Sequence, residues 1–407
     1  MNAAPDYRTH DEHGLMQGFP PPPDKVVTAE NGLWVPPFNR WAYQHMRELV
    51  PSVSIRSVAA PRPLLRALRP ALDEITIPQP DGSTAPLDEF LRATYTDAMV
   101  VVHDGVVVQE RYDNSMTPHT PHQMMSCTKS FIGLFAMAAA REGHVAETDR
   151  IGDLLAELEA SGFADATFGH LLDMTNSLIF DETYDDPQAD IHAYAAIVGI
   201  GEGSWQGSPR NLFEYLATLR NDPAEAHGAA FRYQTPKTDV VNWATNRATG
   251  RSLFENFSRL WAEMGGADEA YVLVDPVGAP VAGGGLNASP EDLARFALLM
   301  LTGDSMVAPS AVLDLIQGGG SVDAFLAGPD AIGTMADGNW TYRAQWWVRN
   351  EPGREAMTAI GVNGQWIYLD RARGVAIIKQ SSQPVALDEW ADDFTIAAFD
   401  RIIAALG

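Results

Sequence analysis

The stretch MMSCTKSFIGLFAMAAAREG, residues 124–143, joins a serine–lysine pair to a long apolar run. Ser126 is followed three residues later by Lys129, and residues 131–140 are apolar on nearly every face. A helix that is apolar all round is expected to be buried. Lysine is rarely buried without a reason, and it occurs only four times in this chain. The stretch therefore predicts a function for Lys129 inside the protein.

The spacing of this pair indicates which function that is. Residues three apart lie on one face of a helix, so the amine of Lys129 is expected beside the hydroxyl of Ser126. Burial and the positive end of the helix dipole both lower the pKa of a lysine below its usual ~10.4. An uncharged Lys129 can take the proton of Ser126, and N–H groups at the helix start can stabilise an oxyanion. The alternative is a surface helix with an ordinary serine and lysine, which the apolar run disfavours.

Composition limits the classes of protein to be considered. The chain has 407 residues, 46 % of them hydrophobic, as expected for a globular protein with a large core. Its net charge of -25 argues against nucleic acid and anionic membranes as partners. The single cysteine, Cys127, excludes an internal disulfide. The first residues show neither a basic segment nor an apolar segment typical of a signal peptide, so we expect a cytoplasmic protein.

Strand patterns lie near both ends of the chain, and helical patterns lie between them. Residues 97–112, DAMVVVHDGVVVQERY, predict a hairpin that turns at an Asp-Gly pair. Residues 289–303 predict a helix capped by Ser289. Near the C-terminus, NWTYRAQWWVRN, GQWIYLD and GVAIIKQSS predict strands, the last two paired as a hairpin, before a final helix over about 387–406.

This order predicts an α/β fold in which one domain is built from both chain ends. We expect an extended N-terminal arm over 1–37, an α/β domain over 38–125 and 275–407, and an inserted, mainly helical domain over 126–274. The active site is expected between the two domains. The oligomeric state stays open, and a homodimer is one of the alternatives.

Other chemistries lack their motifs. No G-x-S-x-G and no H-E-x-x-H occurs. His119 and His122 stand three apart, but two prolines and no carboxylate accompany them, which favours two loop histidines over a zinc site. The glycines of GIGEGSWQG and VAGGGLNAS do not have phosphate-binding spacing. We therefore expect neither a metal nor an organic cofactor.

Several stretches resemble one known family. SCTKS after a hairpin resembles the serine β-lactamase and penicillin-binding-protein fold, an antiparallel sheet flanked by helices with a helical domain inserted. The branch to which the chain is most similar is that of the 6-aminohexanoate-dimer (nylon-oligomer) hydrolases, relatives of class C β-lactamases and family VIII carboxylesterases. The stretches that carry this resemblance are PPFNRWAYQHMRELVPS, TYTDAMVV, LLDMTNS, NLFEYLATLR, GGGLNASPEDLARFALLML and YRAQWW.

The resemblance implies a role for several residues. Ser126 matches the nucleophile and Lys129 its base, and Tyr233 matches the tyrosine that passes a proton to the leaving group. Val362 matches the residue whose backbone N–H completes the oxyanion hole with that of Ser126. Tyr184 matches a loop tyrosine that contacts the leaving amine.

Two further residues are expected at the substrate. Asn363 follows Val362, and Lys237 replaces an asparagine that is usual four residues after the tyrosine. Lys237 is either a solvated lysine or a cation that lowers the pKa of Tyr233 or meets an anionic substrate group. The family's aspartate that binds the substrate amine aligns near Ala195, with Asp190 as a substitute, which puts a linear amino-amide substrate in doubt.

The lysine that β-lactamases carry in K-T-G is absent, so the site lacks the usual partner of a β-lactam carboxylate. We therefore predict a serine hydrolase that cleaves a small-molecule amide or ester through an acyl-enzyme. The alternatives are a non-catalytic or acyl-trapping protein of the same fold, and a β-lactamase.

Overall fold

The computed structural model describes residues 5–201 and 209–407. Part of the GIGEGSWQG stretch therefore lies outside the described residues. The strands are β1 (Ser52–Ile55), β2 (Leu65–Arg66), β3 (Thr76–Pro78), β4 (Thr84–Pro86), β5 (Thr96–His103), β6 (Val106–Tyr112), β7 (His122–Gln123), β8 (Ala270–Leu273), β9 (Leu286–Ala288), β10 (Trp340–Arg343), β11 (Trp346–Arg349), β12 (Ala356–Gly361), β13 (Gln365–Asp370) and β14 (Val375–Ser381).

Helices occupy most of the chain between β7 and β8 and flank the strands elsewhere. They are α1 (Asn39–Leu49), α2 (Leu87–Ala93), α3 (Cys127–Arg141), α4 (Ile151–Leu154), α5 (Phe168–Leu172), α6 (Asp190–Ile197), α7 (Leu212–Thr218), α8 (Pro236–Thr249), α9 (Leu253–Met264), α10 (Pro290–Thr302), α11 (Ser310–Gln317), α12 (Val322–Ala327) and α13 (Glu389–Leu406). No helix within the described ranges combines the length and the apolar character needed to cross a membrane.

The main sheet joins strands from both halves of the chain. Its order is β10-β11-β12-β13-β14-β5-β6-β2, antiparallel throughout except for the short parallel pair β2–β6. The predicted hairpins β5–β6 and β13–β14 are confirmed, and β14 pairs with β5 across about 270 residues of sequence. A second sheet has the order β1-β8-β9-β7, and its strand β7 leads directly into the stretch that holds Ser126.

Three local expectations differ from the structure. The segment NWTYRAQWWVRN, predicted as one strand, is the hairpin β10–β11, because Ala344 (φ 49°) and Gln345 (φ 66°) take the left-handed conformation and reverse the chain. His122 is not in a loop but in β7, where its ring contacts the buried carboxylate of Asp97. The N-terminal arm, whose polar and proline-rich sequence predicts a segment lying on the surface, instead contributes Leu33 and other apolar residues to the core.

Helix α3 runs through the core. Twelve of its fifteen residues are buried, as the apolar run predicted, and it packs against α8 and β12. A side chain at Gly133 would collide with the carbonyl oxygen of Ala344, so only glycine lets the β10–β11 turn lie this close. The Ser130 hydroxyl donates to the carbonyl oxygen of Gln345 at 2.7 Å and fastens the same turn. These contacts hold α3 against the β10–β11 turn.

Candidate active site

Ser126 stands at the N-terminal end of α3, immediately after a residue with unusual backbone geometry. Met125 has φ 47°, a left-handed conformation that is costly for a residue other than glycine. Strand β12 ends against this turn, where a Cβ at Gly361 would lie 2.7 Å from the Met124 carbonyl oxygen and 3.0 Å from the Ser126 nitrogen. Glycine at 361 therefore allows the strand end to reach the backbone of the serine.

Lys129 contacts the serine as the spacing predicted. Its Nζ lies 2.8 Å from Ser126 Oγ, 2.6 Å from the carbonyl oxygen of Gly283 and 3.0 Å from Thr235 Oγ1. The side chain is 1 % exposed. The amine is thus held at hydrogen-bonding distance from the hydroxyl, and water is excluded from it.

The surroundings of Lys129 favour its uncharged form. Burial lowers the pKa of its amine from 10.5 to about 8, against the opposing effect of two carboxylates, first Glu182 and then Asp239. About a tenth of Lys129 is therefore uncharged at pH 7 and able to accept a proton, far more than for an exposed lysine. The structure thus brings the predicted nucleophile and base together, and burial increases the share of the base that is uncharged.

Tyr233 lies next to the amine of Lys129. The Lys129 Nζ is 5.1 Å from the centroid of its ring, and the ring stacks on Trp347 at a centroid distance of 5.6 Å. Burial, followed by the negative charge of Glu182, raises the pKa of Tyr233 well above its ordinary value of 10, although the nearby Ser126 hydroxyl acts in the opposite direction. The phenol is therefore protonated and suited to donate a proton rather than to act as a base.

Two backbone N–H groups are available beside the serine. The N–H of Ser126 precedes the first turn of α3, and that of Val362 follows the last residue of β12. Within residues 5–201 and 209–407, neither N–H is bonded to a protein acceptor. Both residues line the same cavity. This pair has the arrangement expected of an oxyanion hole.

A cavity of about 310 Å³ opens in front of Ser126. Tyr184, Tyr233, Trp347 and Val362 supply much of its wall. The ionisable side chains that line it, among the residues described, are all acids: Glu182, Asp330, Glu389, Asp392 and Asp393. Burial raises the pKa of Asp330, and that of Asp392 to about 7, so these two are the acids most easily neutralised. An acidic wall disfavours a substrate with a negative charge close to the reacting bond.

A neighbouring cavity of about 640 Å³ holds another predicted residue. Asn363 lines it, its Nδ2 donates to the carbonyl oxygen of Gln383 at 2.8 Å, and its Oδ1 is buried without a hydrogen-bond partner. Tyr184 borders both cavities, and its hydroxyl donates to Glu182 Oε1 at 2.7 Å. Tyr184 and Asn363 therefore both line a cavity, although the side-chain amide of Asn363 is buried.

Lys237 is not among the residues that line the two cavities. It is neither a solvated lysine nor a cation that faces substrate, because it is fully buried in α8. Its Nζ donates to the carbonyl oxygens of Met174 (3.1 Å) and Arg232 (2.9 Å). Since Arg232 precedes Tyr233, this lysine fixes the backbone that carries the tyrosine. Asp190 is likewise away from the nucleophile and accepts a bond from the N–H of Asp181 at the surface.

Four residues around Lys129 escaped sequence reasoning. Thr235 and Gly283 bond to the amine directly. Glu182 accepts from both the hydroxyl and the N–H of Thr235, at 2.6 and 2.5 Å. Asp239 accepts from the N–H of Gly283 at 3.3 Å, and burial raises the pKa of Asp239 to about 7. No local pattern identifies these residues, because each is separated from Lys129 by at least 50 positions.

A serine hydroxyl held against a buried lysine whose pKa is lowered to about 8, with two free N–H groups beside it, is the arrangement of a serine hydrolase. Within the described part of the chain, no group of three or more His, Cys, Asp or Glu side chains is arranged to hold a metal ion.

Comparison with known proteins places this site in a family. The Beta-lactamase family model matches residues 87–399. The chain is 32 % identical over 361 residues to a 6-aminohexanoate-dimer hydrolase of Paenarthrobacter ureafaciens, with 86 % of each chain covered. The chain therefore belongs to the beta-lactamase family, within which it is similar to a 6-aminohexanoate-dimer hydrolase.

Solved structures agree with this assignment. A Bacillus anthracis protein described as a candidate 6-aminohexanoate-dimer hydrolase superposes with a TM-score of 0.83 at 28 % identity, over 95 % of this chain and 98 % of the other. A D-stereospecific amidohydrolase from a Streptomyces species has a TM-score of 0.54 at 15 % identity, over 73 % and 93 % of the two chains. This second likeness shows a shared fold only. The predicted β-lactamase/transpeptidase-like fold and the predicted serine hydrolase class are confirmed.

Proposed function

We propose that the protein hydrolyses an amide or ester bond of a small molecule through an acyl-enzyme, with Ser126, Lys129 and Tyr233 as its catalytic residues. The observation that carries this proposal is the 2.8 Å contact between the Lys129 amine and the Ser126 hydroxyl in a dry site. The similarity to a 6-aminohexanoate-dimer hydrolase favours a linear amide among the substrates to be tested.

The first half of the reaction forms the acyl-enzyme. Uncharged Lys129 takes the proton of Ser126 as Oγ bonds to the substrate carbonyl carbon. The N–H groups of Ser126 and Val362 stabilise the negative oxygen of the tetrahedral intermediate. The bond to the leaving nitrogen or oxygen then breaks as the Tyr233 phenol gives that atom a proton. The Lys129 ammonium returns a proton to the phenol.

The second half releases the acid. Water attacks the acyl carbonyl from the cavity and gives up a proton to Lys129. The same two N–H groups stabilise the second oxyanion, and Ser126 Oγ leaves with the proton that Lys129 returns. Each group ends in its starting state, so the cycle needs no further reactant.

The carboxylate lining of the cavity bears on the substrate class. Anionic substrates would lie close to Glu182, Asp330 and the acids that begin α13. We therefore propose neutral or cationic substrates rather than β-lactams, which carry a carboxylate.

A substrate panel tests the proposal. Purified protein is assayed with short-chain p-nitrophenyl esters, p-nitroanilides, the linear 6-aminohexanoate dimer and nitrocefin, with Ser126→Ala as control. We expect turnover of an ester or amide that Ser126→Ala abolishes, and an adduct on Ser126 seen by intact-mass spectrometry. A stoichiometric burst without turnover would indicate an acyl-trapping protein, and nitrocefin as the preferred substrate would indicate a β-lactamase. Either result contradicts the proposal.

A further inference from the structure

The distances around Lys129 do not by themselves show which neighbour faces the lone pair of its amine. An uncharged amine has two N–H donors and one lone pair. The carbonyl oxygen of Gly283 only accepts, so it takes one N–H at 2.6 Å. The other N–H and the lone pair are then divided between Thr235 Oγ1 and Ser126 Oγ. Ser126 is activated only if the lone pair faces it, so the orientation of the Thr235 hydroxyl matters.

Glu182 decides that orientation. An ionised carboxylate only accepts hydrogen bonds. Its Oε1 lies 2.6 Å from Thr235 Oγ1, and its Oε2 accepts the Thr235 N–H at 2.5 Å. The hydroxyl hydrogen of Thr235 must therefore point to Glu182, which leaves its lone pair facing the amine at 3.0 Å. Thr235 takes the second N–H, and the lone pair of Lys129 is directed at Ser126.

We propose that Glu182 is a positioning residue that acts through the Thr235 hydroxyl to hold the lone pair of Lys129 on Ser126. This inference rests on the proposed function. It gives a role to Glu182, which contacts neither the nucleophile Ser126 nor the base Lys129. The carboxylate is held in place by two bonds from Thr235, donated by its hydroxyl and its backbone N–H, and by a third from the Tyr184 hydroxyl.

The titratable groups that face Lys129 determine how its pKa responds to substitution. They are Glu182 from the loop before α6, Asp239 from α8, and the protonated Tyr233 and Cys127, of which Cys127 is on α3 itself. Both carboxylates favour the charged amine, so loss of either charge lowers the pKa of Lys129. Glu182 therefore has two separable effects, one on orientation and one on charge.

Glu182→Gln separates these effects. The amide has one oxygen, and this oxygen faces the Thr235 N–H, because an N–H can only donate, whereas the hydroxyls of Thr235 and Tyr184 can turn to accept from the NH2 group. The NH2 group then donates to Thr235 Oγ1, and the threonine hydrogen turns towards the Lys129 lone pair. We expect Ser126 to react about 100-fold more slowly on the alkaline plateau, where the amine is uncharged in both proteins, the size of a lost general base. We also expect the acid limb of the pH profile to move to lower pH.

The test measures reaction at Ser126 without any assumption about the substrate. A fluorophosphonate phosphonylates Ser126 with loss of fluoride, and intact mass gives the second-order rate from about pH 6 to about pH 10. The variants are Glu182→Gln, Thr235→Val and Thr235→Ser. Asp186→Asn is the matched control, since it removes a carboxylate from the same exposed loop outside the cavities.

We expect Glu182→Gln and Thr235→Val to lose about 100-fold, while Thr235→Ser and Asp186→Asn stay within a few-fold of the parent. A Glu182→Gln protein that reacts at the parental rate overturns the inference, as does a slow one whose acid limb has not moved. If Glu182→Gln does not fold, the Thr235→Val and Thr235→Ser pair decides, and equal rates for the two overturn it. Failure of the parent itself to be labelled at Ser126 overturns the proposed function instead.

Discussion

The pH dependence of catalysis follows directly from the burial of Lys129. The base must be uncharged, and its pKa is lowered to about 8. The uncharged fraction is then about 9 % at pH 7 and about 91 % at pH 9. Because kcat/KM reports the free enzyme, it should rise about tenfold over this interval and level off above it. An exposed lysine at 10.5 would be uncharged in only about 0.03 % of molecules at pH 7, so burial supplies about 300-fold more of the reactive form.

The assay is hydrolysis of a p-nitrophenyl ester, followed at the isosbestic wavelength of p-nitrophenol so that the signal does not depend on pH. The Ser126→Ala protein supplies the background of hydroxide-catalysed hydrolysis at each pH. A single acid limb with an apparent pKa near 8 is the expected result. A rate that is flat from pH 7 to pH 9, or one that falls as the pH rises, would refute an uncharged Lys129 as the base.

Two substitutions test the rest of the site. Gly361→Ala would place a Cβ 3.0 Å from the Ser126 nitrogen, so kcat should fall about 100- to 1,000-fold through the oxyanion hole. Unchanged kcat in a folded variant would show that the strand end plays no part. Tyr233→Phe should slow amide hydrolysis about 100- to 10,000-fold, yet slow p-nitrophenyl esters much less, because p-nitrophenolate leaves without a proton. Equal losses on amides and activated esters, measured as kcat/KM, would argue against Tyr233 as the proton donor.

The predicted elements that match the structure are those with a strong local pattern. The β5–β6 hairpin carries an Asp-Gly turn, and α10 carries the cap at Ser289 that accepts the N–H of Asp292. The β10–β11 turn was not predicted, because Ala344 and Gln345 are not typical turn residues. Their left-handed conformations are stabilised by tertiary contacts, among them the bond from the Ser130 hydroxyl to the carbonyl oxygen of Gln345.

In the active site, too, only the contacts between residues close in sequence were predictable. The contact between Ser126 and Lys129 is set by sequence alone, because any helix places residues three apart on one face. Lys237 shows the limit of that reasoning. Its position near Tyr233 in sequence suggested a role at the substrate, whereas packing of α8 turns its amine to two main-chain carbonyls away from the cavities.

The sequence by itself determined the hydroxyl–amine pair, the apolar helix that buries it, and the strands at both chain ends. Only the tertiary structure decided that Glu182, Thr235 and Gly283 surround the amine. The physical reason is the distance along the chain. The periodicity of a sequence shows which residues are neighbours within one turn of a helix or one pair of strands, but not which distant segments meet. The burial that lowers the pKa of Lys129, and the bonds that direct its lone pair, come from segments more than 50 residues away that meet only in the folded chain.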